Sequence, residues 1–66
     1  MIKYYRNKTG LTQEQVARLL NISLRYYVDI ENRKKTPNVY TGLKLSRILG
    51  VSPFKLFSEE KPKLKE

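Results

Sequence analysis

The sequence predicts an all-α fold, a compact bundle of five short helices forming one small domain. Three observations predict it. No stretch of the 66 residues sustains the apolar–polar alternation of a strand. Residues that cap helix N-termini (Thr12, Ser23, Asn38 and Ser52) each precede apolar residues at helical spacing. The connections left between these segments are about three to seven residues long, the length that joins packed helices.

The first segment ends at Gly10. Ile2, Tyr5 and Arg6 share a helical face, although the aromatic residues here also suit a strand. Thr12 opens the second helix, and Gln15, three residues on, completes a capping box. Val16, Ala17 and Leu20 form one side of this helix, which runs to about Leu20. Asn21 follows at a break, and asparagine tolerates the left-handed backbone that a tight turn needs. Ser23 caps the third helix. Its inner stripe is Tyr27 and Ile30, with Tyr26 a further candidate; the pattern leaves open which of the two rings is buried. Arg25, Asp29 and Asn32 face elsewhere. The run Arg33-Lys34-Lys35 puts cations at the C-terminal end, where the helix dipole favours them. Thr36-Pro37 stops the third helix and Asn38 caps the fourth, in which Leu45, Ile48 and Leu49 repeat at helical spacing before Gly50 ends it. Gly42 lies inside that helix at a cost of about 1 kcal/mol. Ser52-Pro53 opens a last turn through Leu56 and Phe57. Lys61-Pro62-Lys63 reads as a loose tail, so the expected division is a domain over residues 1–57 and a charged tail over 58–66.

Composition narrows the function. Fourteen Lys/Arg against six Asp/Glu give a net charge of +8. Residues 36–57 hold Lys44, Arg47 and Lys55 with no acid, whereas residues 58–66 hold three charges of each sign. The excess therefore belongs to the folded body and not to a basic tail. A positive surface on so small a domain suits polyanions, nucleic acid ahead of anionic membrane, although a net charge of this size also serves solubility. There is no Cys and no His. Disulfides, thiolate zinc sites, the cysteine nucleophile and the commonest general base are all missing. No glycine-rich phosphate loop or spaced acidic set points to a cofactor or metal, and Glu59-Glu60 reads as a solvated pair in the tail. The expected protein is not an enzyme and uses no cofactor, metal or small-molecule ligand. No apolar run approaches the ~18–20 residues of a membrane span and no signal segment opens the chain, which predicts a cytoplasmic protein. A membrane-surface binder would gather its aromatics opposite Lys/Arg on one helix; here the cations are spread over several elements.

The second and third helices are separated by about three residues. That is the layout of a helix-turn-helix, whose two helices cross steeply. Such a crossing needs a small residue at the approach, and the chain's single alanine, Ala17, lies midway along the second helix. Asn21 supplies the turn, and Tyr27 or Ile30 the apolar anchor. Gly10-Leu11-Thr12-Gln13-Glu14-Gln15-Val16-Ala17, Asn21-Ile22-Ser23, Ile30-Glu31-Asn32, Thr36-Pro37, Leu45 through Leu49-Gly50-Val51-Ser52 and Leu56-Phe57 together resemble the Cro/phage-repressor (XRE-type) helix-turn-helix family. The likeness covers roughly residues 2–57 and implies a lambda-repressor-like DNA-binding domain.

The resemblance implies roles for particular residues. The third helix would enter the major groove, with Leu24, Arg25, Tyr26 and Asp29 as base contacts. Arg25 suits guanine O6 and N7, and Leu24 a thymine methyl; Asp29 either accepts from cytosine N4 or holds Arg25 as an i,i+4 pair. Gln13, Ser23, Arg33, Lys34, Lys35 and Asn38 would contact phosphates, which give affinity and register without sequence information. Arg6 and Glu31 match a structural ion pair that links the first and third helices. The chain departs from the family in having Asn21 and Asn32-Arg33 where glycine is common, Tyr27 for a branched aliphatic anchor, and Val28 where a polar residue is common.

The expected function is sequence-specific binding of double-stranded DNA to regulate transcription, as a repressor. One copy reads about one half-site, so a homodimer on a palindromic operator is expected. Val51, Pro53, Phe54 and Phe57 form the expected dimer interface, because the apolar surface there exceeds what a last helical turn buries alone. The alternative is a protein-interaction module of the same fold, such as an antitoxin whose main partner is a protein. An apolar recognition-helix surface would favour it, and Leu24, Tyr26 and Val28 are its sequence support.

Overall fold

The computed structural model describes residues 1–57; the tail assigned to residues 58–66 lies outside the described residues. The described residues form five helices and no strand: α1 (Ile2–Thr9), α2 (Gln13–Leu20), α3 (Leu24–Glu31), α4 (Val39–Leu49) and α5 (Pro53–Leu56). None of these helices is long and apolar enough to cross a membrane.

The helix starts are set by side chains. The Thr12 hydroxyl accepts from Gln15 N at 3.0 Å while the Gln15 side chain accepts from Thr12 N at 2.9 Å, a complete capping box. Ser23, Asn38 and Ser52 each accept from the backbone N–H three residues on, at 3.0, 2.8 and 3.2 Å. Each satisfies one of the orphan donors that every helix N-terminus carries. The helix ends are set by the backbone. Gly10 and Gly50 close α1 and α4 in the left-handed conformation, and Asn21 closes α2 at φ 61°. The first segment is helical, with Ile2 and Arg6 buried on its inner face and Tyr5 half-buried.

Ile2, Val16, Ala17, Leu20, Tyr27, Ile30, Leu45, Leu49 and Leu56 make one core shared by all five helices. Tyr27 is the buried ring, at 0% exposure; Tyr26 is half-buried and packs on the core from outside. Ala17 is buried on the face of α2 that packs on α3 and α4. A larger side chain there would push the crossing helices apart.

Gly42 lies under the Phe57 ring. A Cβ built on it would meet Phe57 Cε2 at 3.5 Å, Cζ at 3.6 Å and Pro37 Cγ at 3.9 Å, ordinary van der Waals contact. Alanine therefore fits, and it spares the backbone entropy that glycine loses in a helix. Gly42→Ala is expected to stabilise the domain by about 0.5–1 kcal/mol, read as a higher midpoint of thermal melting. A lower midpoint would mean that Phe57 cannot tolerate the methyl group.

Candidate nucleic-acid interface

The N-terminal turn of α3 is presented outward. Leu24 is 46% exposed, and Arg25 is exposed beside it. Among the described residues no ion pair joins Arg25 to Asp29, so the i,i+4 pairing does not form and both groups keep their hydrogen-bonding capacity. Asp29 is half-buried, as is Tyr26, which spends much of its ring on the core. Leu24 and Arg25 thus project furthest. Ser23 uses its oxygen lone pair on the Tyr26 amide and retains its own O–H as a donor.

The basic run follows directly. Arg33 takes a left-handed φ of 62°. This turns the chain so that Arg33 N donates to Ile30 O at 3.1 Å and Lys34 N donates to Asp29 O at 2.8 Å, with Lys35 N reaching the same oxygen at 3.3 Å. The pattern is a Schellman closure with arginine where glycine is usual. It seats Arg33, Lys34 and Lys35, all exposed, against the C-terminal end of the helix that carries Arg25. Asn38, a few residues on, caps α4 through Oδ1, which leaves its amide N–H groups as donors.

A buried polar network stands behind these groups. Glu31 Oε2 accepts from Arg6 Nε at 2.5 Å and from the Tyr27 hydroxyl at 2.6 Å. Glu31 Oε1 accepts from Gln13 Nε2 at 3.0 Å, with Arg6 Nη2 at 3.5 Å. Arg6 Nη1 donates to Leu11 O at 2.9 Å. The network therefore ties α1, the loop before α2, the first residue of α2 and α3 together. Burial alone would raise the Glu31 pKa, but the hydrogen bonds from Arg6, Tyr27 and Gln13 hold it below the ordinary carboxylate range. The bond to Glu31 raises the Arg6 pKa in turn. Burial first, then the bond to Glu31, pushes the Tyr27 phenol far above its ordinary value, so it stays a donor at any working pH. No buried side-chain polar atom among the described residues lacks a partner.

The four residues expected at a dimer interface are placed unequally. Val51, Pro53 and Phe57 are half-buried, with Val51 and Phe57 packed on the domain's own core. Phe54 is 86% exposed. The structure extends the apolar surface to residues that sequence reasoning missed: Val39 at 77%, Tyr40 at 71% and the exposed Leu43. Val39 and Leu43 share an open groove of about 230 Å³ with Pro37, Gly42, Pro53 and Phe57. The signal was available, since Val39, Tyr40 and Leu43 are apolar yet fall off the Leu45–Leu49 stripe of α4. Among the described residues no group of three acidic, His or Cys side chains is placed to hold a metal ion.

Comparison with known proteins agrees with this architecture. The helix-turn-helix family profile matches residues 2–56. The chain is 34% identical over 59 residues, 89% of each chain, to an uncharacterized HTH-type transcriptional regulator of Methanocaldococcus jannaschii. It is 35% identical over 57 residues to a control protein, C.MunI, of a Mycoplasma species, covering 86% of this chain and 77% of that one. No solved structure matches the chain.

Proposed function

Since the chain belongs to the XRE-type helix-turn-helix family of transcriptional regulators, we propose that it binds double-stranded DNA in a sequence-specific manner, as a homodimer on a palindromic operator, and represses transcription from the cytoplasmic chromosome by occupying that site. The observation that carries this reading is the pairing of two surfaces on one helix. The outward face of α3 begins with Leu24 and Arg25, and the turn that ends α3 carries the exposed Arg33, Lys34 and Lys35.

Arg25 donates to a guanine edge, Leu24 meets a thymine methyl and Asp29 accepts from cytosine N4; Tyr26 adds the exposed part of its ring to the same groove. Gln13, Ser23 and Asn38 donate to phosphates from the starts of α2, α3 and α4, where unpaired backbone N–H groups and the helix dipole add to them. Arg33, Lys34 and Lys35 contribute charge. The left-handed conformation of Arg33 supports this, because a non-glycine residue there costs stability that a glycine would spare. The relatives' names, a transcriptional regulator and a control protein, fit the same reading. The protein-interaction alternative gains little from the structure. On α3 the one large apolar side chain that is well exposed is Leu24, while Val28 and Tyr26 are half-buried.

The dimer forms through α5 and the outer side of α4, with Phe54 at its centre and Val51, Pro53 and Phe57 around it. Sedimentation at increasing concentration is expected to show a dimer for the natural chain. Phe54→Ala is expected to weaken it by about tenfold or more, from the ~1.5–3 kcal/mol of burying one such ring. At concentrations low enough to keep both chains monomeric the melting midpoint stays unchanged, because Phe54 is 86% exposed in its own copy. A natural chain that stays monomeric at high concentration, with and without DNA, would overturn the dimer. The DNA reading is tested by binding isotherms at several salt concentrations, in which log K falls linearly with log salt. Salt-independent affinity would contradict it.

A further inference from the structure

We propose that the Tyr27 hydroxyl is a positioning group for DNA binding: through Glu31 it fixes the side-chain amide of Gln13 as a phosphate donor. This rests on the reading of Gln13 as a phosphate contact given above. Tyr27 and Glu31 lie four residues apart on α3, so one side chain reaches the other along the helix face. The Tyr27 ring is wholly enclosed by the core, and its hydroxyl donates to Glu31 Oε2 at 2.6 Å.

Two donors, Tyr27 Oη and Arg6 Nε, converge on that one oxygen. With Oε2 held from two directions the carboxylate plane is fixed, and the other oxygen, Oε1, is turned toward α2. There it accepts from Gln13 Nε2 at 3.0 Å. Gln13 is the first residue of α2 and half-buried. A side-chain amide nitrogen carries two hydrogens. One goes to Glu31, and the second has no partner among the described residues, at the end of a helix whose backbone N–H groups favour an anion. An aliphatic residue at position 27 could not hold Glu31. The hydroxyl thus couples the helix that reads bases to the side chain that sets register on the phosphates, and a donor held in one rotamer loses less entropy on binding.

Tyr27→Phe removes the hydroxyl and keeps the ring. Its effect is read against Gln13→Ala and the double variant, by anisotropy on one DNA duplex well below all melting midpoints. Tyr27→Phe is expected to lower affinity by about threefold to tenfold, the worth of one net hydrogen bond. In the Gln13→Ala background it is expected to cause no further loss. A second readout needs no DNA. In NMR spectra the Gln13 side-chain NH₂ signals shift and exchange faster in Tyr27→Phe, while those of Gln15, held in its own capping box, do not. Full affinity in Tyr27→Phe, losses that multiply in the double variant, or unmoved Gln13 signals would each overturn the proposal. If the natural chain binds no DNA, the functional reading fails, while the Gln13 signals still report whether the coupling exists.

Discussion

Glu31→Ala is expected to leave the domain largely unfolded at physiological temperature. Breaking a buried ion pair by removing one partner costs about 3–5 kcal/mol, because the other charge is stranded. Here the stranded group is the Arg6 guanidinium, whose side chain is 9% exposed against 2% for that of Glu31. The Tyr27 hydroxyl and the Gln13 amide lose their acceptor at the same time. A 66-residue domain has roughly 3–10 kcal/mol of stability in all, so the loss is comparable with the whole. Arg6→Ala is expected to cost a similar amount. Circular dichroism melting measures both, and midpoints unchanged from the natural chain would refute the structural role of the pair.

The same pair gives stability a pH dependence. The Glu31 carboxyl titrates below its ordinary value of 4.5 when folded and at about that value when unfolded. The unfolded chain therefore binds more protons in acid, and stability rises with pH across that window. The contribution is fully present above pH 4.5 and is lost as the pH falls through the lowered folded value. The melting midpoint should fall on acidification over this range as Glu31 protonates and Arg6 loses its counter-charge.

Arg25→Ala is expected to act on recognition and not on the fold. Arg25 is exposed and has no ion-pair partner on α3, so the melting midpoint stays where it is. Affinity for the cognate site falls by about 1–3 kcal/mol, and discrimination relaxes at one base pair. Lys34→Ala provides the contrast. It weakens binding to every sequence alike and reduces the log–log salt slope by about 1. Anisotropy titrations against a set of single-base variants separate the two. A uniform loss for Arg25→Ala would move that residue from base reading to phosphate contact.

The helices were legible in the sequence because their boundaries are local chemistry. Thr12 with Gln15, Ser23, Asn38 and Ser52 each act over three residues, and Gly10, Asn21 and Gly50 act through their own backbone. What joins distant segments was not written locally. Arg6 and Glu31 are 25 residues apart and were matched through family resemblance, since no periodicity relates them. The Gln13 and Tyr27 bonds to Glu31 depend on how α2 meets α3 and on which of two adjacent rings turns inward. Tyr27 takes that place, with its hydroxyl on Glu31 one turn further; helical spacing does not choose between the rings, because Tyr26 and Tyr27 lie four and three residues from Ile30. Arg33 in a glycine-like conformation, and the exposed side of α4 at Val39, Tyr40 and Leu43, are set by the closure of α3 and by the rotation of α4 on the core. Nothing at position 33 alone announces the first, whereas three apolar residues that fall off the Leu45–Leu49 stripe foreshadow the second.

Sequence-specific DNA binding is tested by selection of bound DNA from a random duplex pool, run at low and at near-physiological salt. An enriched palindrome with half-sites about ten base pairs apart is expected, with weaker retention of the whole pool at the higher salt. No enrichment at either salt concentration would contradict it and would turn attention to a protein partner.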